Sequence, residues 1–284
     1  MPDVLRTVGR YEVVRELGRG ASGRLHLARR PDLDGLVALE ELDSLGAGDP
    51  AAARRFVRTA GSLTHPNIVT VYDVFEHDGT AFVAMELLER GSLRRYPGGL
   101  TLAQVAGVLE GVLAGLAHAE EHGVVHGDLT PESLMVTEDG RVKIADLGIP
   151  RPSAHAPSPG ADLRAAGTIA AELLAGAESA AGAPLDSRLW GWVERMRGAA
   201  VLSAAEAWDE LEDIVVDLLG PPHSRGPSRP SPAAAPPAAR PAASTPSSTP
   251  ATWASVRPPG YRRSEPRSSS SIATNAVPSC SKTS

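Results

Sequence analysis

The chain has 284 residues and a formal net charge of −6 at pH 7. This length suffices for one large domain or two small ones, and the acidic balance gives no indication of a nucleic-acid partner. The single cysteine is Cys280, so an internal disulfide is impossible and a cytoplasmic location is expected. No run of about 18 apolar residues is present, so no membrane span is predicted.

Composition changes near residue 220. Residues 221–284 consist mainly of Pro, Ser, Ala, Thr and Arg, and such a segment buries too little apolar surface to offset its ordering entropy. It carries eight basic residues and one acidic residue, a net charge of +7, which leaves −13 on residues 1–220. We therefore expect residues 220–284 to be a disordered tail. It is either a solvated linker or a basic arm for an acidic partner.

A glycine-rich turn at residues 18–23 lies between two segments with strand character. Gly18, Gly20 and Gly23 form a G-x-G-x-x-G pattern, after which Leu25 and Leu27 alternate with polar residues. The alternation predicts a strand, whereas the dinucleotide-binding version of this motif opens a helix. Glycines would let backbone N–H groups approach phosphate oxygens without a clash with Cβ. A plain hairpin turn is the alternative interpretation.

Two acidic turns in the middle of the chain carry the strongest functional signal. They are the stretches 126–136, which begins His-Gly-Asp-Leu, and 144–148, which ends Asp-Leu-Gly. Together they resemble the catalytic loop H-R-D-L-x-x-x-N and the metal loop D-F-G of protein kinases. The resemblance, to bacterial Ser/Thr kinases, covers about residues 11–219. It implies an α+β bilobal fold with a β-rich N-lobe at about 11–88 and a helical C-lobe at about 89–219, after a lead of residues 1–10.

The resemblance also implies a site for ATP and Mg²⁺. Asp128 stands at the position of the catalytic base and Asp146 at that of a Mg²⁺ ligand, while Ser133 replaces the asparagine that holds a second Mg²⁺. We expect nucleotide and Mg²⁺ binding to be weak. The residues that would contact the nucleotide come from the glycine loop, the strands beside it, the hinge and the floor of the cleft: Gly18, Gly20, Gly23, Leu25, Ala38, Met85, Glu86, Leu88 and Met135.

Glu40 is the most important departure from the kinase pattern. Residues 36–40 resemble the strand V-A-I-K, whose lysine pairs with the nucleotide phosphates, but Glu40 stands at the lysine position. A carboxylate there would repel the phosphates, so we predict that Glu40 cannot serve as the clamp. The helix expected at 51–63 also lacks the usual glutamate, because that position falls on Phe56 or Thr59.

The catalytic and activation segments depart from the pattern as well. Gly127 replaces the arginine of H-R-D, and Thr130 replaces the lysine that steadies the transferred phosphate. The Pro-rich residues 149–160 are followed by a predicted helix from residue 161, in which Asp162 would brace the catalytic loop. This arrangement implies a shortened activation segment without an A-P-E motif. The remaining pattern predicts strands at 69–75 and 80–86 and helices at 102–122, 185–197 and 203–219.

These departures favour a pseudokinase, a kinase-fold regulatory or scaffold module that partners an active kinase or another signalling protein. Weak nucleotide binding and little or no phosphotransfer would follow. The alternative is a divergent ATP-dependent Ser/Thr protein kinase whose phosphate clamp has been rebuilt with Arg19 or Arg24. A third hypothesis is a degenerate reading frame that is truncated before a membrane anchor.

Overall fold

The computed structural model describes residues 4–20, 22–32, 35–43, 63–96, 99–149, 158–198 and 203–221. The N-terminal part of these residues forms a six-stranded antiparallel sheet with the strand order β1-β2-β3-β4-β6-β5. The strands are β1 Arg6–Val8, β2 Tyr11–Arg19, β3 Gly23–Arg30, β4 Gly35–Leu42, β5 Val71–His77 and β6 Thr80–Glu86.

Strand register decides which side chains face the cleft below the sheet. Leu25 of β3 lies opposite Glu40 of β4, and Ala38 of β4 lies opposite Met85 of β6. Paired residues share a face of a sheet, and so do residues two apart along a strand. Leu25, Ala38, Glu40 and Met85 therefore share one face.

The C-terminal part is mainly helical. A short 3₁₀ helix, Leu93–Arg95, precedes α1, and the strands β7 and β8 form a two-stranded ladder that carries the loops of the predicted catalytic site. The elements of this part are α1 Leu102–Glu121, β7 Leu134–Val136, β8 Val142–Ile144, α2 Pro159–Ala181, α3 Ser187–Arg197 and α4 Ala204–Leu219.

Local signals explain where these helices begin. Thr101 caps α1 in a capping box with Gln104, and Ser203 caps α4 in the same way with Glu206. Each box satisfies N–H groups that have no partner within the helix. Ser158 accepts a hydrogen bond from the N–H of Ala161 at the start of α2, so this helix begins two residues before the predicted start at 161.

The helical core is built around α1. Trp192 and Trp208 are buried in it, and the indole N–H of Trp192 donates to the carbonyl of Ala207 at 2.9 Å. Among the described residues, α1 is long and apolar enough to cross a membrane, as judged by length and composition alone. However, 67% of its most apolar window is buried inside the protein. Packing in the core accounts for this apolar character.

Several predicted boundaries differ from the structure. The sheet begins before the expected domain start at residue 11, because β1 pairs with β2. The strand predicted at 69–75 is β5, Val71–His77, since Val69 instead donates its N–H to the carbonyl of Ile144 at 2.9 Å. The strand predicted at 80–86 is confirmed by β6. Most of the helix expected at 51–63, residues 150–157 and the tail from 222 lie outside the described residues.

Candidate functional site: an altered nucleotide cleft

The glycine turn joins β2 to β3 at the upper edge of the cleft. The N–H of Gly20 donates to the carbonyl of Gly23 at 2.8 Å. A Cβ atom on Gly23 would lie 1.8 Å from the carbonyl oxygen of Glu41 on the neighbouring strand, so only glycine fits there. The predicted strand–turn–strand is therefore present, and the third glycine is required by the close approach of β3 and β4.

Glu40 lies directly beneath this turn. Its side chain is 3% exposed, and its Oε1 atom is 3.7 Å from the point where a Cβ of Gly20 would be. The carboxylate is thus aimed at the place where a kinase-type glycine loop would hold phosphates. A buried carboxylate keeps much of its Coulomb repulsion toward another anion, because little solvent screens the pair.

The two arginines considered as replacement clamps lie on the other face of the sheet. Arg19 is opposite Arg24, and Arg24 is opposite Glu41. Since neighbouring residues of a strand point to opposite faces, these arginines point away from the face of Glu40. Arg19 also forms an ion pair with Asp43, and both side chains are largely exposed.

Lys143 is the one lysine among the described residues, and it is engaged elsewhere. Its ammonium group forms a half-buried ion pair with Glu86 at the start of the predicted hinge. Glu86 also accepts the N–H of Thr70 at 2.6 Å through the same carboxylate oxygen. Sequence reasoning missed this pair, which fixes the hinge against β8 and leaves no described lysine near Glu40.

The predicted adenine contacts come together in one apolar cluster. Ala38 and Met85 are buried within it, and Leu25, Leu88 and Met135 pack against it. Behind Met85 lies a small cavity of about 20 Å³, which includes Asp146 among its lining residues. This volume corresponds to about one water molecule. The apolar half of a nucleotide cleft is therefore assembled by residues from both parts of the fold.

The predicted catalytic loop is held from below by α2. The carboxylate of Asp162 accepts the backbone N–H groups of His126 and Gly127, each at 2.7 Å. Burial raises the pKa of this carboxyl, and the two backbone hydrogen bonds partly counteract that rise. His126 also contacts the carbonyl of Ala145 at 3.1 Å, which links the loop to the metal-loop segment.

Within this loop, Asp128 is exposed to solvent and Ser133 is buried. The hydroxyl of Ser133 donates to the carbonyl of Thr130 at 2.9 Å and accepts its N–H at 3.2 Å. Ser133 thus stabilises the turn through two hydrogen bonds to the backbone of Thr130. Its hydroxyl is engaged with the backbone of Thr130 at the position where the kinase pattern has the asparagine that holds a second Mg²⁺.

Two backbone conformations distinguish the acidic turns. Gly127 has φ +78°, a left-handed conformation that costs most L-residues roughly 1–2 kcal/mol. The arginine of H-R-D is therefore replaced by the residue that adopts this conformation at least cost. Asp146 also has a positive φ, +57°, although it has a side chain. Backbone strain of this kind is concentrated at functional sites.

The cleft fits one half of ATP and not the other. The apolar cluster around Ala38 and Met85 suits a purine, and Asp146 offers a carboxylate for Mg²⁺. The buried carboxylate of Glu40, however, stands where the phosphates need a cation. The residues present therefore do not fit a kinase-type triphosphate clamp, and no phosphotransfer step can be derived through it.

Comparisons with known proteins agree with this architecture. The serine/threonine-protein kinase PrkC of Bacillus subtilis is 35% identical over 150 residues, which cover 51% of this chain and 23% of PrkC. The serine/threonine-protein kinase PknL of Mycobacterium tuberculosis is 37% identical over 153 residues, which cover 52% of this chain and 38% of PknL. The chain thus spans well under two thirds of these curated relatives.

A solved structure confirms the predicted kinase-like fold. The crystal structure of the Mycobacterium tuberculosis PknI kinase domain superposes with a TM-score of 0.60 at 28% identity, covering 74% of this chain and 98% of that domain. A family model described as the protein kinase domain matches residues 11–192. This match covers more than half of the chain, which therefore belongs to the protein kinase domain family.

Proposed function

We propose that the chain is a pseudokinase: a kinase-fold regulatory or scaffold module with weak nucleotide binding at most and little or no phosphotransfer. One observation carries the proposal. The clamp position is occupied by Glu40, which is 3% exposed and directed at the underside of the glycine turn. The proteins of this family generally use ATP and Mg²⁺, and phosphoryl transfer depends on positioning and on neutralising phosphate charge.

The expected loss of rate is large. Removing one preorganised electrostatic donor from an active site costs about 3–4 kcal/mol, or about 10²–10³ in rate. In this chain the strand lysine, the catalytic-loop lysine and the second-metal asparagine are replaced by Glu40, Thr130 and Ser133. These effects do not add independently. Two full losses, about 6–8 kcal/mol, would nevertheless reduce a typical kinase rate to a negligible level.

The second candidate is a divergent ATP-dependent Ser/Thr protein kinase, and a specific observation favours it. Asp128 and Asp146 are both retained, Asp146 has a strained φ of +57°, and Asp162 holds the catalytic loop through two hydrogen bonds. A degenerate chain has no need to keep this arrangement. Against this candidate, Arg19 and Arg24 lie on the face of the sheet away from Glu40.

A pseudokinase would act through binding, so its partner is expected to be a protein. We propose an active kinase or another signalling protein in the cytoplasm as the partner class. The test is direct: the purified chain is added to an active Ser/Thr kinase from the same cell, and that kinase's rate and substrate range are measured. A change in either supports a regulatory role, and no change with any kinase of the cell opposes it.

The catalytic claim is tested by a phosphotransfer assay. The chain is incubated with γ-labelled ATP, Mg²⁺ or Mn²⁺ and Ser/Thr protein substrates, in parallel with an Asp128→Asn variant. We expect the two proteins to incorporate label at the same background level. Incorporation that depends on Asp128 would refute the pseudokinase and establish the divergent kinase.

A further inference from the structure

Three potential metal ligands lie together at the C-terminal end of α1, outside the nucleotide cleft. His118 and His122 are one helical turn apart, and Glu121 lies between them on the same side of the helix. Their ligand atoms all lie within 4.8 Å of one another. His118 is half-buried, whereas Glu121 and His122 are exposed, so an ion could enter from solvent.

The tautomer of His122 is fixed by its neighbour. Its Nδ1 atom lies 2.8 Å from the backbone carbonyl of His118. A carbonyl oxygen can only accept, so Nδ1 carries the hydrogen and Nε2 of the neutral ring keeps its lone pair. Metal-bound histidines characteristically donate their second ring N–H to a carbonyl or carboxylate in this manner, which orients the ring.

His118 provides a second indication of a ligand. Its Nε2 atom is buried without a hydrogen-bond partner, which leaves a polar atom unsatisfied. Burial is the main cause that lowers the pKa of this imidazole, with His122 contributing and Glu121 opposing. Its centroid is 4.2 Å from that of His122.

His65 forms the inner wall of this cluster. Its ring stacks on that of His118 with a centroid distance of 5.0 Å. Burial, with contributions from His118 and Lys143, lowers the pKa of His65 to about 4. Its Nδ1 accepts the N–H of Asn67 at 3.1 Å. The hydrogen of the neutral ring is then on Nε2, and His65 packs against the site without ligating.

We propose that His118, Glu121 and His122 bind a divalent transition-metal ion of the Zn²⁺ type. Two imidazoles and one carboxylate are a donor set that Zn²⁺ accepts, with the fourth position open to water. Mg²⁺ prefers an all-oxygen shell and is disfavoured by two imidazoles. The negative end of the α1 dipole adds attraction for a cation.

Only small movements are needed to close the site. Ligand atoms around a tetrahedral Zn²⁺ with bonds of about 2.0–2.1 Å are about 3.4 Å apart. The ligand atoms now lie within 4.8 Å of one another, and rotation of the exposed Glu121 side chain would bring its carboxylate toward the imidazoles while His122 keeps its hydrogen bond to the carbonyl of His118. A bound ion would fasten the last turn of α1 and stabilise the folded chain by mass action.

The test is a Zn²⁺ titration of the tag-free 284-residue chain in excess Mg²⁺, which occupies the carboxylate sites that prefer oxygen ligands. We expect one Zn²⁺ per chain and at least tenfold weaker binding in His122→Gln and in Glu121→Gln. His77→Gln is the matched control, because it removes another partly exposed histidine, at the end of β5 and outside the cluster, and is expected to leave the affinity unchanged.

A second readout separates ligation from general stabilisation. With Co²⁺ in place of Zn²⁺, the wild-type chain should show visible absorption bands of a four-coordinate ion, and His122→Gln should lose them while its circular dichroism is unchanged. The proposal is overturned if Zn²⁺ does not bind stoichiometrically. It is equally overturned if His122→Gln binds Zn²⁺ as tightly as the wild type, since the ion would then be held by other histidines.

Discussion

Replacing Glu40 by glutamine should increase the affinity of the cleft for ATP. The substitution removes the negative charge beneath the glycine turn while keeping the size of the side chain. Oε1 lies 3.7 Å from the Cβ position of Gly20, so a phosphate bound by the turn would be about 5–6 Å from the carboxylate. At that distance and an effective dielectric constant of about 20, two unit charges repel by about 3 kcal/mol.

This repulsion corresponds to roughly 100-fold in affinity, because each 1.4 kcal/mol is about tenfold. Solvent around the phosphates reduces the gain, so we expect at least a tenfold increase in ATP affinity for Glu40→Gln. Adenosine has no phosphate and should bind equally well to both proteins. Calorimetric titration with ATP and with adenosine, both in Mg²⁺, measures the two affinities.

Glu41→Gln is the matched control for this experiment. It makes the same change in net charge on the adjacent residue, whose side chain lies on the opposite face and contacts Arg6 and His26. We expect Glu41→Gln to leave the ratio of ATP to adenosine affinity unchanged. An unchanged ratio for Glu40→Gln, or an equal gain for Glu41→Gln, would refute the argument from local repulsion.

Three further predictions concern stability and are measured by chemical denaturation. Asp162→Asn should destabilise the fold by about 1–3 kcal/mol, because one of two buried backbone N–H groups loses its acceptor; an unaffected midpoint would contradict the bracing role. Gly127→Arg should destabilise the fold by about 1–2 kcal/mol, because residue 127 has a positive φ, and Gly127→Asn should destabilise it by less. Equal losses of stability in the two variants would contradict this explanation. Burial raises the pKa of Glu41, but hydrogen bonds from Arg6 and His26 outweigh it and the net shift is downward. This carboxylate therefore adds stability above its unfolded-state pKa that is lost as the pH falls through the folded value. Glu41→Gln should be less stable than wild type by about 1 kcal/mol at pH 7, and this difference should shrink as the pH falls below the unfolded-state pKa of Glu41; a difference that is independent of pH would exclude the ion pair as its cause.

The parts of the site that lie within one motif could be predicted from the sequence. The glycine turn, Glu40 at the clamp position and the two acidic turns are each defined by residues close together in the chain. Strand alternation alone puts Ala38 and Glu40 on one face of β4. The bracing role of Asp162 came from the family resemblance, and the two hydrogen bonds to the catalytic loop agree with it.

Other features depend on contacts between distant segments, which local patterns do not specify. The ion pair between Lys143 and Glu86 joins β8 to the end of β6. The pairing of β1 with β2 was missed because Arg6–Val8 is only three residues long. The spacing of His118 and His122 is visible in the sequence, but the buried wall provided by His65 comes from the segment before β5.

The most direct test of the account is the affinity of the unmodified chain for adenosine and for ATP in the presence of Mg²⁺. The apolar pocket for the purine is assembled, but the negatively charged Glu40 stands where a lysine would bind the phosphates. We therefore predict that adenosine binds at least as tightly as ATP. ATP binding that is tenfold or more tighter than adenosine binding, and that strengthens with Mg²⁺, would contradict the account and show that the phosphates are held despite Glu40.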